Sequence, residues 1–426
     1  MTAPNGPILF NSTTGSDSNA SGLGPSVAVY GSAASTTSAS AVVTGINTNG
    51  VSAGDLLWVQ SSSGIQFSII ASVDSGTQVT CDQAFANTEA SRTWAIGGKR
   101  ATFENTDSRQ LFNDLPAGGT VETESDQTMT TTIEGSMAGT IGNNCVVRGS
   151  IGSEVLTSNH SNYLFKFTAS FITLSHMVLR SASGSNSAAI RFQGGNSYFL
   201  HNIVCNTAGQ SYITFTENGG WGAYTVIKDC TIGNMGGYGI SQNVMNYTTI
   251  QNCLIHDNAL YGTLSNRSLD FINCIFARNF MQGSVATLFT NYYNCIFWKN
   301  GAASGVRPAL TMYAGISVVN CIFAENYQDA ISGSATAQYK NTSGNVFYNN
   351  VGSDYTVPLP QFTDNLTLTA DPFVDAANLD FNIKSSSVLA GVNYNLGSKT
   401  TVHPFRQFVS SYFQTSNSTM KIHPLA

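Results

Sequence analysis

The segment Ile272-Asn-Cys-Ile-Phe-Ala-Arg-Asn279 decides the fold, because it recurs along the chain with small changes. Close copies are Gln251-Asn-Cys-Leu-Ile-His-Asp-Asn258, Tyr293-Asn-Cys-Ile-Phe-Trp-Lys-Asn300 and Val319-Asn-Cys-Ile-Phe-Ala-Glu-Asn326. Weaker copies are Lys228-Asp-Cys-Thr-Ile-Gly-Asn234 and Gly344-Asn-Val-Phe-Tyr-Asn-Asn350. The cysteines at 230, 253, 274, 295 and 321 are separated by 23, 21, 21 and 26 residues. Such a period in an internal repeat is typical of a solenoid.

The length of the repeat predicts one coil of a parallel β-helix. Three strands of ~4–5 residues and three turns use about this many residues. Leucine-rich repeats have a similar period, but their regular leucine pattern is absent. Upstream, Asn202, Ser175 and Arg148 extend the series at 27-residue steps. Within a copy, Cys274 and Phe276 share one face of the strand and Ile275 and Ala277 the other. Both faces are apolar, and the fixed phase of Cys and Phe favours these two as the inward face.

Two columns of asparagine accompany the cysteines. One contains Asn252, Asn273, Asn294 and Asn320, and the other contains Asn258, Asn279, Asn300 and Asn326. Asparagine tolerates left-handed backbone angles, and its amide can bond to the same amide one rung away. We interpret both columns as turn residues; Ca²⁺ coordination is the alternative, which the scarcity of carboxylates disfavours. The cysteines are predicted to be buried free thiols. The sequence contains no closely spaced pair of cysteines of the kind that binds a metal, so neither a metal site nor a cofactor is predicted.

Composition limits the function classes. The 426 residues are 42% hydrophobic but only 10% charged, with a net charge of −6 and 18 Lys plus Arg. Without a basic cluster, nucleic-acid binding is not expected. No apolar run is long enough for a membrane span. The first residues lack the basic start and apolar run of a secretory signal, which predicts assembly in a cytoplasm, where free cysteines stay reduced.

Four regions are predicted. Residues 1–40, rich in Gly, Ser, Ala and Asn, form an extended N-terminal arm held by its own chain or by a neighbouring subunit. Residues 41–104 form a small β-barrel or sandwich, since short strand-like runs alternate with turn residues. Residues 105–395 form the β-helix, with a short cap at residues 106–112. Residues 396–426 form a C-terminal tail or cap whose aromatic residues include Phe405 and Phe408.

The segment Asp371-Pro-Phe-Val-Asp375, followed by Leu379-Asp-Phe-Asn-Ile-Lys-Ser-Ser-Ser-Val-Leu-Ala-Gly391, carries a family resemblance. It resembles the closing segment of right-handed parallel β-helix proteins of the pectate-lyase-like superfamily, which commonly runs D-P-x-F, D-[FY]-x-[LI], S-P-x-x-x-x-G. The chain departs from this pattern with Val388 in place of the proline and without the Asp before the last Gly. The N-C-I-F-x-x-N phrase is also typical of the group. The resemblance covers about residues 105–395 and implies an all-β, right-handed, single-stranded parallel β-helix.

A looser resemblance concerns function. The opening Ile8-Leu-Phe-Asn-Ser-Thr-Thr-Gly-Ser-Asp17 and the N-terminal β module are similar to phage structural and tailspike-type proteins. This implies a non-enzymatic spike, fibre or head-decoration protein located in the virion. The implied partners are two further copies of the chain in a homotrimer, other virion proteins bound through residues 1–40, and a host-surface glycan. The alternative is a polysaccharide lyase or hydrolase of the β-helix class.

Candidate site residues follow from these two functions. Hydrolysis needs two carboxylates ~5–9.5 Å apart, and the candidates are Asp257, Asp270, Glu325 and Asp329. Arg278, Lys299 and Glu325 occupy the same position in successive copies of the repeat. An ion pair between Lys299 and Glu325 at the surface would explain the charged side chains at two of these positions. Aromatic rings at rung spacing could stack on sugars; these candidates are Trp221, Tyr224, Tyr261, Tyr293 and Trp298. The histidines His176, His201 and His256 are spaced too irregularly for a metal site, and Asp229 stands at an asparagine position of the turn.

Overall fold

The structure is a computed structural model. It describes residues 8–11, 29–62, 64–96, 120–123, 126–130, 132–135, 144–149, 155–158, 163–168, 170–181, 189–192, 198–206, 213–215, 224–242, 247–265, 268–302, 307–333, 341–356 and 362–390. The predicted cap at residues 106–112, most of the arm and the tail at residues 396–426 lie outside these ranges.

The N-terminal part consists of one strand, which pairs in parallel with the first strand of the solenoid, and a closed antiparallel barrel. The strands are β1 (Ile8–Asn11), β2 (Val29–Thr36), β3 (Val42–Thr44), β4 (Leu56–Ser61), β5 (Gly64–Ser75), β6 (Gln78–Cys81) and β7 (Glu89–Ile96). Strands β2 to β7 close in the order β2-β3-β6-β5-β4-β7, so the predicted module is a barrel. Its first strand lies within the range predicted as an extended arm. Leu56 and Ile69 of the barrel also pack against the core of the next region.

The rest of the described chain is a parallel β-solenoid followed by a short hairpin, which confirms the predicted fold class. The strands of the solenoid are β8 (Thr120–Thr123), β9 (Gln127–Met129), β10 (Ile133–Gly135), β11 (Cys145–Gly149), β12 (Val155–Ser158), β13 (Phe165–Phe167), β14 (Ile172–Ser181), β15 (Ile190–Phe192), β16 (Tyr198–Asn206), β17 (Ile213–Phe215), β18 (Tyr224–Lys228), β19 (Thr231–Gly233), β20 (Ile240–Gln242), β21 (Tyr247–Gln251), β22 (Leu254–His256), β23 (Tyr261–Ser265), β24 (Leu269–Ile272), β25 (Ile275–Ala277), β26 (Gln282–Leu288), β27 (Asn291–Tyr293), β28 (Ile296–Trp298), β29 (Leu310–Ala314), β30 (Ser317–Val319), β31 (Ile322–Ala324), β32 (Ile331–Gly333), β33 (Asn341–Ser343), β34 (Val346–Tyr348), β35 (Phe362–Thr363) and β36 (Leu366–Leu368). Strands β37 (Phe373–Asp375) and β38 (Asp380–Ile383) flank a 3-10 helix at Ala376–Asn378.

The solenoid has three faces. A 21-stranded sheet bends once in each coil and so forms two of them. The first face contains β1, β8, β11, β18, β21, β24, β27, β30, β33, β35 and the first halves of β14 and β16. The second face contains β9, β12, β19, β22, β25, β28, β31, β34, β36 and the second halves of β14 and β16. The third face is a nine-stranded sheet made of β10, β13, β15, β17, β20, β23, β26, β29 and β32. Neighbouring rungs lie ~4.8 Å apart, the spacing of paired strands.

The interior confirms the inward phase of Cys and Phe. The repeat cysteines and Phe276, Phe297, Phe323 and Phe347 belong to one core cluster and are at most 2% exposed. Successive rings stack, with centroids 4.6 Å apart for Phe276–Phe297 and 4.7 Å for Phe297–Phe323, and interplanar angles of 7° and 5°. All eight cysteines are free and buried. In-register stacking of identical side chains therefore builds a continuous core along the axis.

The two asparagine columns have different structural roles. Asn252, Asn273, Asn294 and Asn320 have φ near +53°, the left-handed conformation that asparagine tolerates better than most residues. They form the bend between the first and second faces, and Asp229 occupies the same position with φ +53°, as the sequence predicted. Asn258, Asn279, Asn300 and Asn326 are at most 1% exposed. Their amides form an internal ladder with bonds such as Asn279 Nδ2 to Asn300 Oδ1 at 2.9 Å.

The outer side of the second face is covered by the closing segment at residues 371–390, called the strap below. Phe373, Phe381 and Leu389 of the strap pack on the outward residues of β25, β28, β31 and β34. Outward Ile275 and Trp298 are therefore buried, at 9% and 3% exposure. The apolar character of both sides of each repeat thus has a physical reason, since one side meets the core and the other meets the strap.

Candidate functional site

Asp257 lies at the outer corner between the second and third faces, in a left-handed turn (φ +52°). Its carboxylate accepts hydrogen bonds from Arg278 Nε at 2.7 Å and Nη2 at 2.6 Å, and lies 2.6 Å from His256 Nδ1. Burial by itself would raise the pKa of Asp257, but these bonds outweigh it and hold the pKa below the usual value. Arg278 also donates to the carbonyl of Ala377 in the strap at 3.1 Å. Asp257 thus helps to anchor the strap.

Glu325 and Lys299 continue the same corner column. Lys299 Nζ lies 3.4 Å from Glu325 Oε2, the surface pair that the sequence predicted. Glu325 also accepts a hydrogen bond from Trp298 Nε1 at 3.1 Å. Both charged side chains are partly exposed, so the pair contributes at most about 1 kcal/mol to stability.

The four candidate carboxylates are not brought together as a catalytic pair. Asp257 and Glu325 share a column, but the rungs of Arg278 and Lys299 lie between them, so they are three steps, or ~14 Å, apart. That exceeds the ~5–9.5 Å of glycosidase carboxylates. Asp270 lies on the first face and accepts a bond from Asn291 Nδ2 at 2.7 Å. Asp329 accepts the backbone N–H of Ser353 at 2.7 Å, in the turn before β32.

The candidate aromatic residues have different surroundings. Trp298 is buried beneath Phe381, with ring centroids 5.6 Å apart; contrary to the sequence-based expectation, its ring is therefore closed to a sugar. Tyr261 is half-buried and stacks on Tyr238 at 5.5 Å. Tyr293 is half-buried on the first face. Trp221 lies outside the described residues, and for Tyr224 only the backbone, in β18, is described.

The outer side of the first face is the best candidate surface. Its outward side chains belong to none of the hydrophobic clusters formed by the described residues. Thr249, Asp270 and Asn291 follow one another in register on adjacent rungs. Tyr247, at the start of β21, is 61% exposed. The sequence analysis did not name Asn291 as a site residue, although its place before the repeat phrase puts it on a strand of this face.

A cluster of titratable side chains extends this face toward the N-terminus. We call Arg148, His176, His201, Lys228 and Asp229 the histidine cluster. His201 Nε2 lies 3.1 Å from Asp229 Oδ2, and Lys228 Nζ lies 4.0 Å from the same oxygen. The rings of His176 and His201 meet edge to face with centroids 5.3 Å apart. The register explains the cluster, because Ser175, His201 and Lys228 pair across successive strands.

The electrostatics of the histidine cluster favour a charged Asp229. Burial would raise its pKa, but hydrogen bonds with His201 and Asn252, and the charge of Lys228, lower it below the usual value. Burial, followed by repulsion from His201 and Arg148, lowers the pKa of His176. His176 is therefore neutral over a wider pH range than an ordinary histidine, and can act as an acceptor as well as a donor.

Among the described residues, no three His, Cys, Asp or Glu side chains lie close enough together to hold a metal ion. No helix within the described part of the chain is long and apolar enough to cross a bilayer.

Comparisons with known proteins bear on the fold. No family model and no curated protein matches the chain. Several solved structures are similar. The A-module of mannuronan C-5 epimerase from Azotobacter vinelandii is 11% identical, with 60% of this chain and 82% of that chain covered and a TM-score of 0.41. ORF18 of Geobacillus virus E2 is 13% identical, with 60% and 55% covered and a TM-score of 0.43. The tailspike protein of Pseudomonas phage LKA1 is 11% identical, with 85% and 67% covered and a TM-score of 0.30.

The fold is that of the parallel β-helix proteins. Structures similar to it come from phage proteins as well as from polysaccharide-modifying enzymes, and at these identities they describe the fold alone.

Proposed function

We propose that this protein is a structural component of a phage virion that binds a surface glycan along the first face of its β-helix. The observation that supports glycan binding is a row of polar side chains on the outer side of that face. Thr249, Asp270 and Asn291 present hydrogen-bonding groups at rung spacing, beside the exposed ring of Tyr247. A row of fixed polar groups beside an aromatic ring suits a polyhydroxylated chain, because rigid side chains lose little entropy on binding.

The virion role rests on different support. The opening sequence and barrel module resemble phage structural proteins, and eight free, buried cysteines suit assembly in a reducing cytoplasm. The first test is sedimentation of the full chain, for which a homotrimer predicts three times the 45.2 kDa of one chain. A monomer at micromolar concentration would contradict the trimer. The second test is mass spectrometry of purified virions from a lysate that contains the protein, in which its absence would contradict a virion role.

The glycan part is tested on an array of bacterial surface polysaccharides with the full chain. Binding to a subset of glycans, without release of shorter products over hours, is the expected result. Absence of binding across the array would contradict the proposal.

A polysaccharide lyase is the second candidate, and the histidine cluster favours it. A lyase needs a base near a cation. Asp229 Oδ2 lies 3.1 Å from His201 Nε2, so that it can orient the imidazole, and 4.0 Å from Lys228 Nζ. Release of unsaturated oligosaccharides, lost in His201→Gln, would support this activity. A purely binding role predicts no such product.

A further inference from the structure

A second exposed aromatic residue, Phe289, lies at the same edge of the first face as Tyr247. Phe289 is 51% exposed in the turn just before β27, and Tyr247 is 61% exposed at the start of β21. Tyr247 stands two residues before Thr249 and Phe289 stands two residues before Asn291, which are both members of the polar row. The two rings therefore border the same strip of the first face, two rungs apart.

The ring of Phe289 is positioned by the next rung of the solenoid. Phe289 donates its backbone N–H to the carbonyl of Ala314 at 3.1 Å. Gly315 follows with φ +65°, and a Cβ there would come within 2.8 Å of Phe289 Cδ1. The ring therefore lies against the backbone of the glycine, and a side chain at this position would displace it. A ring fixed in this way loses little entropy when a ligand stacks on it.

The separation of the two aromatic positions sets the length of ligand that can contact both. Two rung steps correspond to ~10 Å along the axis, and the placement of the Phe289 ring against Gly315 adds to this distance. A pyranose unit in an extended chain is about as long as one rung step, so contact with both rings requires at least three consecutive units. The position between the rings is Ser268, whose small side chain leaves room for the central sugar.

The charge of the strip favours a neutral ligand. The segments 247–252, 268–273 and 289–294, which form this part of the first face, contain one charged residue, Asp270. Its carboxylate accepts a hydrogen bond from Asn291 Nδ2 at 2.7 Å. A carboxylate has about four acceptor sites, so Asp270 can also accept hydrogen bonds from sugar hydroxyls. It would repel the carboxylate of an acidic sugar, because like charges across an interface are unfavourable.

We propose that the ligand of the first face is a neutral, extended, β-linked polysaccharide that runs parallel to the solenoid axis and stacks on Tyr247 and Phe289. This inference rests on the proposed glycan binding and adds the class, the direction and the minimum length of the glycan. The C–H groups on the flat side of a β-linked pyranose pack against an aromatic ring. The hydroxyls at the edge of the sugar then lie beside the polar row of Thr249, Asp270 and Asn291.

Calorimetric titration of the full chain with cello-oligosaccharides of two to six units tests the class and the length of the ligand. These probes are neutral, β-linked and extended. We expect the affinity to rise up to three or four units and then to level off, because both rings are then covered. Oligoglucuronates of the same linkage and lengths are expected to bind at least about tenfold more weakly, owing to repulsion by Asp270.

A variant of the second ring tests the contact at Phe289. Phe289→Ala is expected to weaken binding of the four-unit probe roughly 2- to 12-fold, the loss of one aromatic contact, and to remove most of the gain over the two-unit probe. The matched control is Phe280→Ala, because Phe280 is also 51% exposed but lies between the second and third faces. The control is expected to leave affinity unchanged. Both side chains are exposed, so an unchanged thermal unfolding transition verifies folding.

Several outcomes would overturn this proposal without touching glycan binding at the first face. They are tighter binding of oligoglucuronates than of cello-oligosaccharides, an affinity that does not change with length, and equal effects of Phe289→Ala and Phe280→Ala. Failure of every cello-oligosaccharide to bind, while a glycan from the array binds and loses affinity in Tyr247→Ala, would also refute the assigned class. Absence of any effect of Tyr247→Ala on an array glycan would instead contradict the proposed function itself.

Discussion

Replacing Asn300 by alanine should show how much the internal amide ladder stabilises the solenoid. Asn300 Nδ2 donates to Phe276 O at 2.9 Å and to Asn326 Oδ1 at 3.3 Å, and Asn300 Oδ1 accepts from Asn279 N and Nδ2 at 3.1 and 2.9 Å. Alanine removes all four bonds and leaves the buried N–H of Asn279 unsatisfied. An orphaned buried donor costs about 1–3 kcal/mol, and each of the other bonds about 0.5–1.5 kcal/mol. The expected loss in free energy of unfolding is therefore about 3–7 kcal/mol.

Equilibrium denaturation in urea measures this loss. The control is Asn320→Gly, because Asn320 is exposed and adopts φ +52°, which glycine accepts without strain. Gly344 already occupies the same turn one rung later, with φ +65°. The control is expected to change stability by less than about 1 kcal/mol. A loss for Asn300→Ala no larger than that of the control would refute a stabilising ladder.

Three further predictions concern the core and the strap. Phe297→Ala should lower the free energy of unfolding by about 3–5 kcal/mol in calorimetry; a loss below ~1 kcal/mol would contradict its stacked, buried position. The lowered pKa of Asp257 means that its pairing stabilises above the unfolded-state pKa and is lost as pH falls through the folded one. Asp257→Asn should therefore flatten the acid side of the stability profile, whereas an unchanged slope would contradict this. Because burial raises the pKa of Cys81 to about 11 and that of Cys205 further, these two thiols should resist a thiol reagent until urea unfolds the chain.

The solenoid could be predicted because its structural repeat is also a recognisable sequence repeat. Between Cys230 and Cys321 every rung carries the same short phrase, so period and phase are both visible. Upstream of Cys230 the repeat sequence is degenerate and the number of residues per coil varies. Arg148 and Ser175 pair as expected, but Ser175 pairs with His201, one residue before Asn202. This difference of one residue is enough to hide the contact between His201 and Asp229.

The burial of Trp298 beneath the strap could not be predicted from the repeat sequence. Its phase predicted an outward side chain, and the structure places it outward from the core. The strap then covers that side through Phe381. Contacts between a repeat and a segment ~80 residues later in the chain leave no periodic trace. The only indication in the sequence was that both faces of each repeat copy are apolar. This pattern indicates that both faces are buried, but it does not identify the segment that covers the outer face.

The most direct test of glycan binding at the first face is a calorimetric titration of Tyr247→Ala against Tyr313→Ala, with a glycan that the unmodified chain binds. Both tyrosines are exposed, but Tyr247 lies on the first face and Tyr313 on the third. Loss of an aromatic contact worth about 0.5–1.5 kcal/mol predicts a roughly 2- to 12-fold weaker affinity for Tyr247→Ala and no change for Tyr313→Ala. Unchanged affinity for Tyr247→Ala, or an equal loss for both variants, would contradict binding at this face.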